Sequence, residues 1–262
     1  MAQPGPTQEP GDQDRAGDQG RAGALIRGAG RITALTGAGI STGSGIPDFR
    51  GPDGLWTRDP SAERISTLEW YLADEDVRRA AWRYRAESPV WNAAPNPAHQ
   101  ALARLEHQGR LRAVITQNTD GLHQAAGTRT VIELHGNVRT WRCEDCGATG
   151  PMTQALARVR AGDPDPRCSR CGGVIRATTI LFGENLDPDV LDAAYAAAED
   201  CDLLLVVGTS LTVMPAAGLV SVAGSAGARI VIVNGGPTPY DRRADAVVRG
   251  PIPQVLPALI GE

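Results

Sequence analysis

The chain has 262 residues, of which 42% are hydrophobic and 21% are charged, and its net charge is −4. This composition is typical of a soluble globular protein, and the length allows a large core with a smaller second unit. A nucleic-acid-binding groove needs a basic surface, so we expect no nucleic-acid partner. The apolar run 203–207 (LLLVV) is too short to span a membrane, and residues 1–27 lack the pattern of a secretory signal. We therefore expect a cytoplasmic protein without a membrane partner.

All 26 basic residues are arginine, because the chain contains no lysine. Since Ala, Gly and Pro are also abundant, we attribute this bias to a GC-rich genome. Whatever its origin, chemistry directed at lysine side chains cannot act on this protein itself.

The predicted elements alternate between strands and helices along the chain. Residues 1–23 contain almost no large apolar side chain and are predicted to form a disordered tail. The later segments are predicted as strand 31–36, helical region 68–87, helix 98–109 and strands 112–118, 130–135, 201–210 and 228–236. Strands of continuous Val, Leu and Ile between helices predict an α/β fold, with a Rossmann-like parallel sheet covered by helices.

Small and polar residues follow these strands at one edge of the predicted sheet. Ligands of parallel α/β sheets bind beyond the carboxyl ends of the strands. The positions that this rule brings to one crevice are Gly37, Gln117, Asn118, His135, Gly208, Ser210 and Asn234.

The first strand leads into the turn GAGISTGSGIPDFR, residues 37–50. Gly37 and Gly39 lack Cβ atoms, so backbone N–H groups of this turn can approach a pyrophosphate. Thr42 replaces the third glycine of a dehydrogenase turn, and a second loop, 47–50, carries an acid, an aromatic ring and a guanidinium. The turn therefore predicts a dinucleotide site that differs from a hydride-transfer site.

Four of the five cysteines form two Cys-x2-Cys pairs. Two such pairs supply four thiolates to one tetrahedral zinc ion, and a closed shell of four protein ligands indicates a structural site. A disulfide is the alternative, but a cytosolic chain disfavours it. The predicted zinc ligands are Cys143, Cys146, Cys168 and Cys171. Cys201 precedes an apolar strand and is interpreted as a small buried hydrophobic residue.

The four histidines differ in their sequence context. His135 closes an apolar strand and precedes Gly136, so its neutral imidazole can meet a ligand and take a proton from a hydroxyl near neutral pH. His107 is interpreted as solvated and His99 as a structural hydrogen-bonding residue, while His123 is left open between structure and function. The polar run 117–120 (QNTD) offers amides and a carboxylate to a ligand, although, taken alone, this run is better explained as an ordinary polar surface loop.

The chain resembles the sirtuin family of NAD-dependent protein-lysine deacylases from about residue 25 to its end. The shared motifs, in family order, are GAGIS, SGIPDFR, TQNTDGLH, ELHGNV, the two Cys-x2-Cys pairs, LFGENL, GTSLTVMPAAGL and VIVNGGPT. The resemblance implies a protein-lysine deacetylase that releases nicotinamide and O-acetyl-ADP-ribose. It also implies NAD as co-substrate, one structural zinc ion, and acetylated-lysine proteins or peptides as partners.

The resemblance further implies a role for each residue of the crevice. The implied nicotinamide pocket consists of Ala38, Ile46, Asp48, Asn118 and Asp120, with Phe49 shielding the reactive ribose carbon and Arg50 ordering the loop. The other implied cofactor positions are Gly37, Gly39, Gln117, Gly208, Thr209, Ser210, Asn234, Gly235 and Ile252. His135 is the implied general base on a ribose hydroxyl, and Asn118 is the second implied catalytic residue.

The peptide substrate is implied to bind as an extra strand between two edges, 183–186 and 213–214. The implied substrate-binding residues are Ile180, Phe182, Gly183, Glu184, Asn185 and Val213. The usual Arg-Pro of the family is Arg176-Ala177 here and Thr179 replaces an apolar residue, so the rigidity of this segment is in question.

Sirtuins that prefer succinyl or malonyl lysine carry a Tyr-x-x-Arg pair, and this chain has Trp82 and Arg85 at those positions. Both are candidate substrate-binding residues, with helix packing as the alternative, and the missing phenol predicts acetyl-lysine over succinyl-lysine. The alternative activities are deacylation of other acyl-lysines, protein mono-ADP-ribosylation, and NAD sensing without turnover.

The predicted division of the chain follows the same motifs. A Rossmann-like core comprises about 24–50, 98–139 and 177–262, a helical insertion about 51–97, and a zinc ribbon about 140–176.

Overall fold

The computed structural model describes residues 12–48 and 62–261, with the backbone alone for residues 12–17 and 62. Phe49 and Arg50 of the predicted cofactor loop lie outside the described residues. The helices are α1 (Asp12–Gly28), α2 (Ala62–Ile65), α3 (Leu68–Ala73), α4 (Glu75–Glu87), α5 (Pro97–His107), α6 (Leu122–Ala125), α7 (Met152–Arg160), α8 (Pro188–Glu199), α9 (Leu219–Ser225) and α10 (Ile252–Ile260). The strands are β1 (Ile32–Thr36), β2 (Leu111–Thr116), β3 (Val131–Glu133), β4 (Thr140–Cys143), β5 (Thr149–Pro151), β6 (Ile175–Ala177), β7 (Leu203–Val207), β8 (Arg229–Val233) and β9 (Ala246–Val248).

Six strands form a parallel sheet in the order β3-β2-β1-β7-β8-β9. The chain proceeds from β1 outward to β2 and β3, and then returns to place β7 on the other side of β1. The strand order therefore reverses between β1 and β7, which is the place where parallel sheets of this kind open a ligand crevice. The edge strand β9 is a part of the sheet that the sequence analysis did not identify.

Alternate residues of the central strands enter two separate cores, one on each face of the sheet. Leu203 and Leu205 pack in a core that α1, α5 and α10 complete, whereas Leu204 and Val206 pack with α8 and α9. Because both faces are covered, the strands are apolar at every position instead of alternating. The predicted α/β fold with a Rossmann-like sheet is confirmed.

A smaller module contains the antiparallel sheet β5-β4-β6 and helix α7. Helix α4 packs against this module, and a separate apolar core lies between them. The helical region predicted over 68–87 is two helices, because the chain is extended at Asp74. The Asp74 carboxylate accepts the N–H groups of Asp76 at 2.9 Å and Val77 at 3.3 Å, and thereby caps the start of α4.

Helix α1 corrects the expectation that residues 1–23 form a disordered tail. Residues 12–23 belong to this helix, and residues 1–11 lie outside the described part of the chain. Ala22 and Ile26 are fully buried against the sheet and α10. A single turn with two buried apolar residues, spaced four apart, packs this otherwise polar helix against the core. The amino-acid composition of the segment does not reveal such a short apolar contact.

No helix within the described ranges is both long enough and apolar enough to cross a bilayer.

Candidate functional site

The final residues of the parallel strands lie in one row across the sheet. The register places Thr36 opposite Thr116 on one side and Val207 on the other, and Val207 opposite Val233. The residues that follow these strands therefore stand at the same edge, as predicted. They are Gly37, Gln117, Gly208 and Asn234.

Three glycines bring the turns after β1 and β7 into direct contact. The Gly39 N–H donates to the Gly208 carbonyl at 2.8 Å, and the Gly37 N–H donates to the Val207 carbonyl at 3.1 Å. A Cβ on Gly39 would lie 2.9 Å from the Gly208 Cα, and one on Gly208, whose φ is +64°, would lie 2.4 Å from the Ile40 nitrogen. Only glycine permits this backbone-to-backbone contact. Two short 3-10 turns, Ala38–Ile40 and Thr42–Ser44, follow in place of a long dehydrogenase helix.

Asn118 and Asp120 are held in place by a buried network that includes Ser41. The Asn118 amide donates to the Gly37 carbonyl at 3.2 Å and to Ser41 Oγ at 3.1 Å. The Ser41 hydroxyl donates to Asp120 Oδ2 at 2.7 Å, and Asp120 Oδ1 accepts the Leu122 N–H at 2.9 Å. These bonds fix the positions of one amide and one carboxylate at the crevice.

Sequence reasoning did not identify Ser41 as part of the site. A serine in a glycine-rich turn carries no signal of its own, and only its place inside the GAGIS motif separates it from other turn serines. Arg139 was also missed, and its guanidinium donates to the Asp120 carbonyl at 3.0 and 3.2 Å.

Two buried histidines support this network from behind. His99 Nδ1 accepts the Asn96 N–H at 3.3 Å, so its Nε2 carries the proton and faces Ser41 Oγ at 3.4 Å. His123 Nε2 lies 3.0 Å from Thr36 Oγ1, and its Nδ1 has no hydrogen-bond partner among the described residues. Burial lowers the pKa of His99 to about 4 and that of His123 to about 3. Both rings are therefore neutral at physiological pH, which suits a structural role.

His135 lies just beyond β3 and is half-buried. Its Nδ1 is 3.0 Å from the Gln117 carbonyl, and since a carbonyl only accepts, Nδ1 carries the proton and Nε2 the lone pair. Burial lowers the pKa of His135, although the bond to Gln117 acts in the opposite direction. A Cβ on the next residue, Gly136, would lie 2.1 Å from the Thr178 carbonyl oxygen, so only glycine allows this approach. His135 is therefore a neutral base with a fixed tautomer.

The remaining predicted cofactor positions differ in their surroundings. The Gln117 amide donates to Thr209 Oγ1 at 3.0 Å and links the ends of β2 and β7. Ser210 and Asn234 make local contacts, to Thr212 Oγ1 and to the Gly236 carbonyl, each at 2.9 Å. The positions at the limit of the first described range, Ile46 and Asp48, are half-buried. The side chain of Ile252 is buried in the core with α1, so a ligand contact at this position would have to use the backbone.

The segment 180–182 connects the residues after β3 to the helical part of the chain. The Ile180 N–H donates to the His135 carbonyl at 2.9 Å. The Phe182 backbone bonds to Ser66 at 2.8 Å and to Leu68 at 3.0 Å, while 42% of Phe182 remains exposed. Met214, beside the predicted Val213 edge, is 69% exposed. These exposed apolar side chains suit contact with a bound peptide.

Trp82 does not lie on a substrate surface, which corrects the expectation for this residue. It is fully buried and packs with Met152 and Leu156 in the core of the smaller module. The Arg85 guanidinium carbon lies over the Trp82 ring, 5.2 Å from its centre, and both residues belong to helix α4. An aromatic residue on an amphipathic helix often faces a core, and here packing decides its position.

The four predicted zinc ligands converge on one point. The sulfur atoms of Cys143, Cys146, Cys168 and Cys171 all lie within 4.8 Å of one another. Each pair sits on a tight turn, in which the Gly147 N–H donates to the Cys143 carbonyl and the Gly172 N–H to the Cys168 carbonyl. Four converging thiol groups fit one tetrahedral Zn²⁺ and leave no open coordination position, which agrees with a structural ion. Cys201 is separate and buried, and its thiol donates to the Ala198 carbonyl at 3.2 Å.

Known proteins resemble this chain over most of its length. An NAD-dependent protein deacetylase 2 of Streptomyces coelicolor is 54% identical over 231 residues, which cover 87% of this chain and 96% of that protein. A solved structure from work on the mechanism and regulation of Sir2 enzymes is 39% identical, with a TM-score of 0.86. The match covers 93% of this chain and 96% of that one. A Sir2 complex with a deacetylated p53 peptide and 3'-O-acetyl ADP-ribose is 36% identical, with a TM-score of 0.83 and coverage of 89% and 94%.

The family comparison covers most of the crevice, except the positions from Asn234 onward, and it covers the cysteine pairs and the predicted peptide edges. The sequence profile of the Sir2 family matches residues 37–215, from the glycine turn after β1 to the segment after β7. The predicted sirtuin resemblance is confirmed, and the chain belongs to the Sir2 family.

Proposed function

We propose that this protein is an NAD-dependent protein-lysine deacetylase that moves an acetyl group from lysine to ADP-ribose and releases nicotinamide. The observation that carries the proposal is His135, a neutral base of fixed tautomer just beyond β3, whose Nδ1–H is bound to the carbonyl of Gln117, the residue before the buried Asn118. The Sir2 relatives of stated deacetylase activity support the same conclusion.

The crevice between β1 and β7 holds NAD in this proposal. The donor set at the strand ends, with two glycine turns in backbone contact, suits a dinucleotide. Asn118 and Asp120 bind the nicotinamide carboxamide, and the turn that starts at Gly37 binds the pyrophosphate. NAD supplies an electrophilic ribose carbon to the acetyl oxygen as nicotinamide leaves.

His135 moves the proton that this transfer requires. Its Nε2 lone pair takes a proton from a ribose hydroxyl, and the Gln117 carbonyl stabilises the imidazolium that forms, through the Nδ1–H bond. An oriented general base contributes about 10²–10⁴-fold to the rate. Because burial lowers the pKa of His135, the base is already deprotonated at neutral pH.

The peptide lies between the segments 183–186 and 213–214, with Phe182 and Met214 against its acyl-lysine and neighbouring side chains. Main-chain pairing of this kind gives affinity with little sequence preference. Zinc, held by the four cysteines, maintains the smaller module and takes no part in the chemistry.

Acetyl-lysine is the preferred acyl substrate in this proposal. By the family resemblance, a succinyl carboxylate is bound by a phenol and a guanidinium, but this chain has Trp82 at the position of the phenol, and that side chain packs in the core of the smaller module and offers no hydroxyl to a substrate. A carboxylate left with incomplete partners costs about 1–3 kcal/mol. We therefore expect the protein to prefer acetyl-lysine over succinyl-lysine by about tenfold or more. Deacylation of other acyl-lysines is the second candidate function.

We also propose a cytoplasmic location, because four thiolate ligands are maintained best in a reducing compartment. The net charge of −4 supports a protein or peptide partner in preference to nucleic acid.

The test is incubation of the purified protein with NAD and matched peptides that carry acetyl-, succinyl- or unmodified lysine. Mass spectrometry should detect free lysine peptide, nicotinamide and O-acetyl-ADP-ribose in equal amounts. ADP-ribose attached to the peptide would favour the transferase alternative, and an unchanged acetyl-peptide with intact NAD would refute both activities.

A further inference from the structure

A cluster of four charged side chains joins the cysteine module to the predicted peptide edge. Glu184 Oε1 accepts from Arg142 at 2.8 Å and also from Arg176. Glu144 Oε1 accepts from Arg142 at 2.8 Å, and it lies 2.9 Å from Arg176 Nε as an ion pair without hydrogen-bond geometry. Arg142 and Glu144 flank the zinc ligand Cys143, so one side of the cluster belongs to the zinc site's own turn.

The four side chains of this cluster differ in burial, and Arg176 is the most deeply buried. The exposed fractions of the side chains are 37% for Arg142, 19% for Glu144, 10% for Glu184 and 1% for Arg176. A charge as deeply buried as that of Arg176 is tolerated only when it is paired, and removing one partner of such a pair is far more costly than removing an exposed one.

Arg176 and Glu184 together determine the path of the segment 179–184. Arg176 Nη1 donates to the Thr179 carbonyl at 2.8 Å, and Glu184 Oε2 accepts the Leu181 N–H at 2.7 Å. The residue between these two attachments, Ile180, is bonded to the His135 carbonyl. The segment is thus held by the charged side chains of Arg176 and Glu184 and, between their attachment points, by the hydrogen bond from Ile180 to the His135 carbonyl.

These contacts bear on the rigidity of the segment, which Ala177 and Thr179 put in question because they depart from the family pattern. Ala177 pairs with Trp141 in the antiparallel sheet, and the Thr179 carbonyl is held by Arg176. The rigidity of the segment therefore depends on the buried guanidinium. Lysine would be a poor replacement, because one ammonium cannot reproduce the planar fork that reaches Glu184 and Thr179 together.

We propose that Arg176 is a positioning residue for the peptide site: it holds the segment 179–184 in its peptide-binding path and transmits the integrity of the cysteine module to that segment. The part that concerns peptide affinity rests on the proposed deacetylase function, whereas the part that concerns the segment itself does not. The substrate contacts are made by 180–185, and Arg176 acts through them.

The test compares Arg176→Met and Arg176→Lys with the matched control Arg78→Met. Arg78 is also an almost fully buried arginine, 6% exposed and paired with Asp165 at 2.9 Å, and its other bonds go to the carbonyls of Tyr71 and Leu72. Hydrogen–deuterium exchange of fragments covering 178–186, the melting temperature, and KM and kcat for an acetyl-peptide and for NAD are measured on each zinc-loaded protein.

We expect exchange over 178–186 to increase in both Arg176 variants and to stay at the wild-type level in Arg78→Met. The peptide KM should rise at least fivefold in Arg176→Met and less in Arg176→Lys, while the KM for NAD changes less than twofold. Equal exchange, or an equal peptide KM, in Arg176→Met and Arg78→Met would overturn the positioning role.

If Arg176→Met does not fold, Arg176→Lys and Glu144→Gln provide the same exchange comparison. An unchanged 178–186 segment in both would refute the proposal. Absence of deacetylation by the wild-type protein would refute the proposed function alone, because the exchange measurement does not use activity.

Discussion

Three imidazoles near the crevice show how environment assigns different roles to one side chain. His135 has one nitrogen bound to a carbonyl and the other free to accept a proton. His99 and His123 lie behind the Ser41–Asp120 network, fully buried, and their ring centres are 4.9 Å apart. Burial lowers the pKa of all three, but only His135 combines a neutral ring with partial exposure. Partial exposure and a fixed tautomer therefore separate His135, as a base, from the two supporting histidines.

We expect His135→Ala to lower kcat for deacetylation by at least about 10²-fold, because the base is removed from the ribose hydroxyl. NAD binding, measured by calorimetry, and the melting temperature should remain close to those of the wild type. Near-normal turnover in the variant would exclude His135 from the mechanism.

In the wild-type enzyme, kcat/KM should be flat near neutral pH and fall on the acid side with a pKa below 6.5. The active form of a general base is the deprotonated one, and burial lowers the pKa of His135, so protonation sets in only at more acidic pH. A rate that declines already above pH 7 toward lower pH would contradict this assignment.

The buried pair predicts acid lability of the fold. Unfolded histidine titrates near 6.5, whereas His99 and His123 titrate at about 4 and about 3 in the folded protein. Between these pH values the unfolded state binds more protons than the folded state. The contribution of the two histidines to the free energy of unfolding is therefore fully present above pH 6.5 and decreases as the pH falls toward 4. Each imidazole contributes a slope of about 1.4 kcal/mol per pH unit.

Urea unfolding at several pH values checks this slope. His123→Gln should flatten it, and His107→Gln, at an exposed helix end, should leave it unchanged. A pH-independent free energy of unfolding between pH 6.5 and 4 would refute the role of the pair.

The elements of the smaller module are short and are held together by the cysteine turns as well as by apolar burial. Its antiparallel sheet consists of two three-residue strands on either side of one four-residue strand. A four-thiolate zinc site couples metal binding to folding, so we expect the ion to contribute to the stability of this module.

We expect Cys143→Ser to reduce bound zinc from about one equivalent to nearly none and to lower the melting temperature, because the coordination shell is broken. Deacetylation should be lost indirectly. Cys201→Ser, outside the cluster, is the matched control and should retain zinc. A metal-free Cys143→Ser protein that melts like the wild type would disprove the structural role.

The elements that sequence predicted and those that it missed differ in a physical way. Strands that are buried on both faces consist of continuous runs of Val, Leu and Ile, which are recognisable in the sequence. The spacing of the cysteines likewise predicts which four of them bind the metal ion. Helix α1 depends on one buried turn, and the inward orientation of Trp82 depends on its packing against α7. The Ser41 network joins positions far apart in the chain. Tertiary contacts decide these features, and no local pattern encodes them.

Across the whole molecule, arginine takes the place of lysine at every position, so guanidinium groups carry the permanent positive charge of the side chains. Arginine remains charged and is not a substrate for lysine acylation, so reactive acyl donors cannot neutralise the side chains of the cluster around Arg176. In the proposed function, the enzyme then presents no acyl-lysine side chain to its own activity, so we expect no regulation by self-deacylation of side chains.

We expect exhaustive chemical acetylation to attach at most one amide-linked acetyl group, at the α-amino terminus. Intact-mass analysis after hydroxylamine, which removes ester-linked acetyl groups, checks this number. Arg83→Lys, at an exposed position of α4, is the control and should gain one further group. More than one hydroxylamine-resistant acetyl group on the wild type would contradict the expectation.

The contact between Gly39 and Gly208 has a mechanical consequence for the molecule. Two turns from distant parts of the chain touch through their backbones, with a hydrogen bond of 2.8 Å and no side chain between them. Side chains can change rotamer and absorb a displacement, but two backbones in contact cannot, so the turns after β1 and β7 move as one body. Any closure around a bound substrate must then take place outside these two turns.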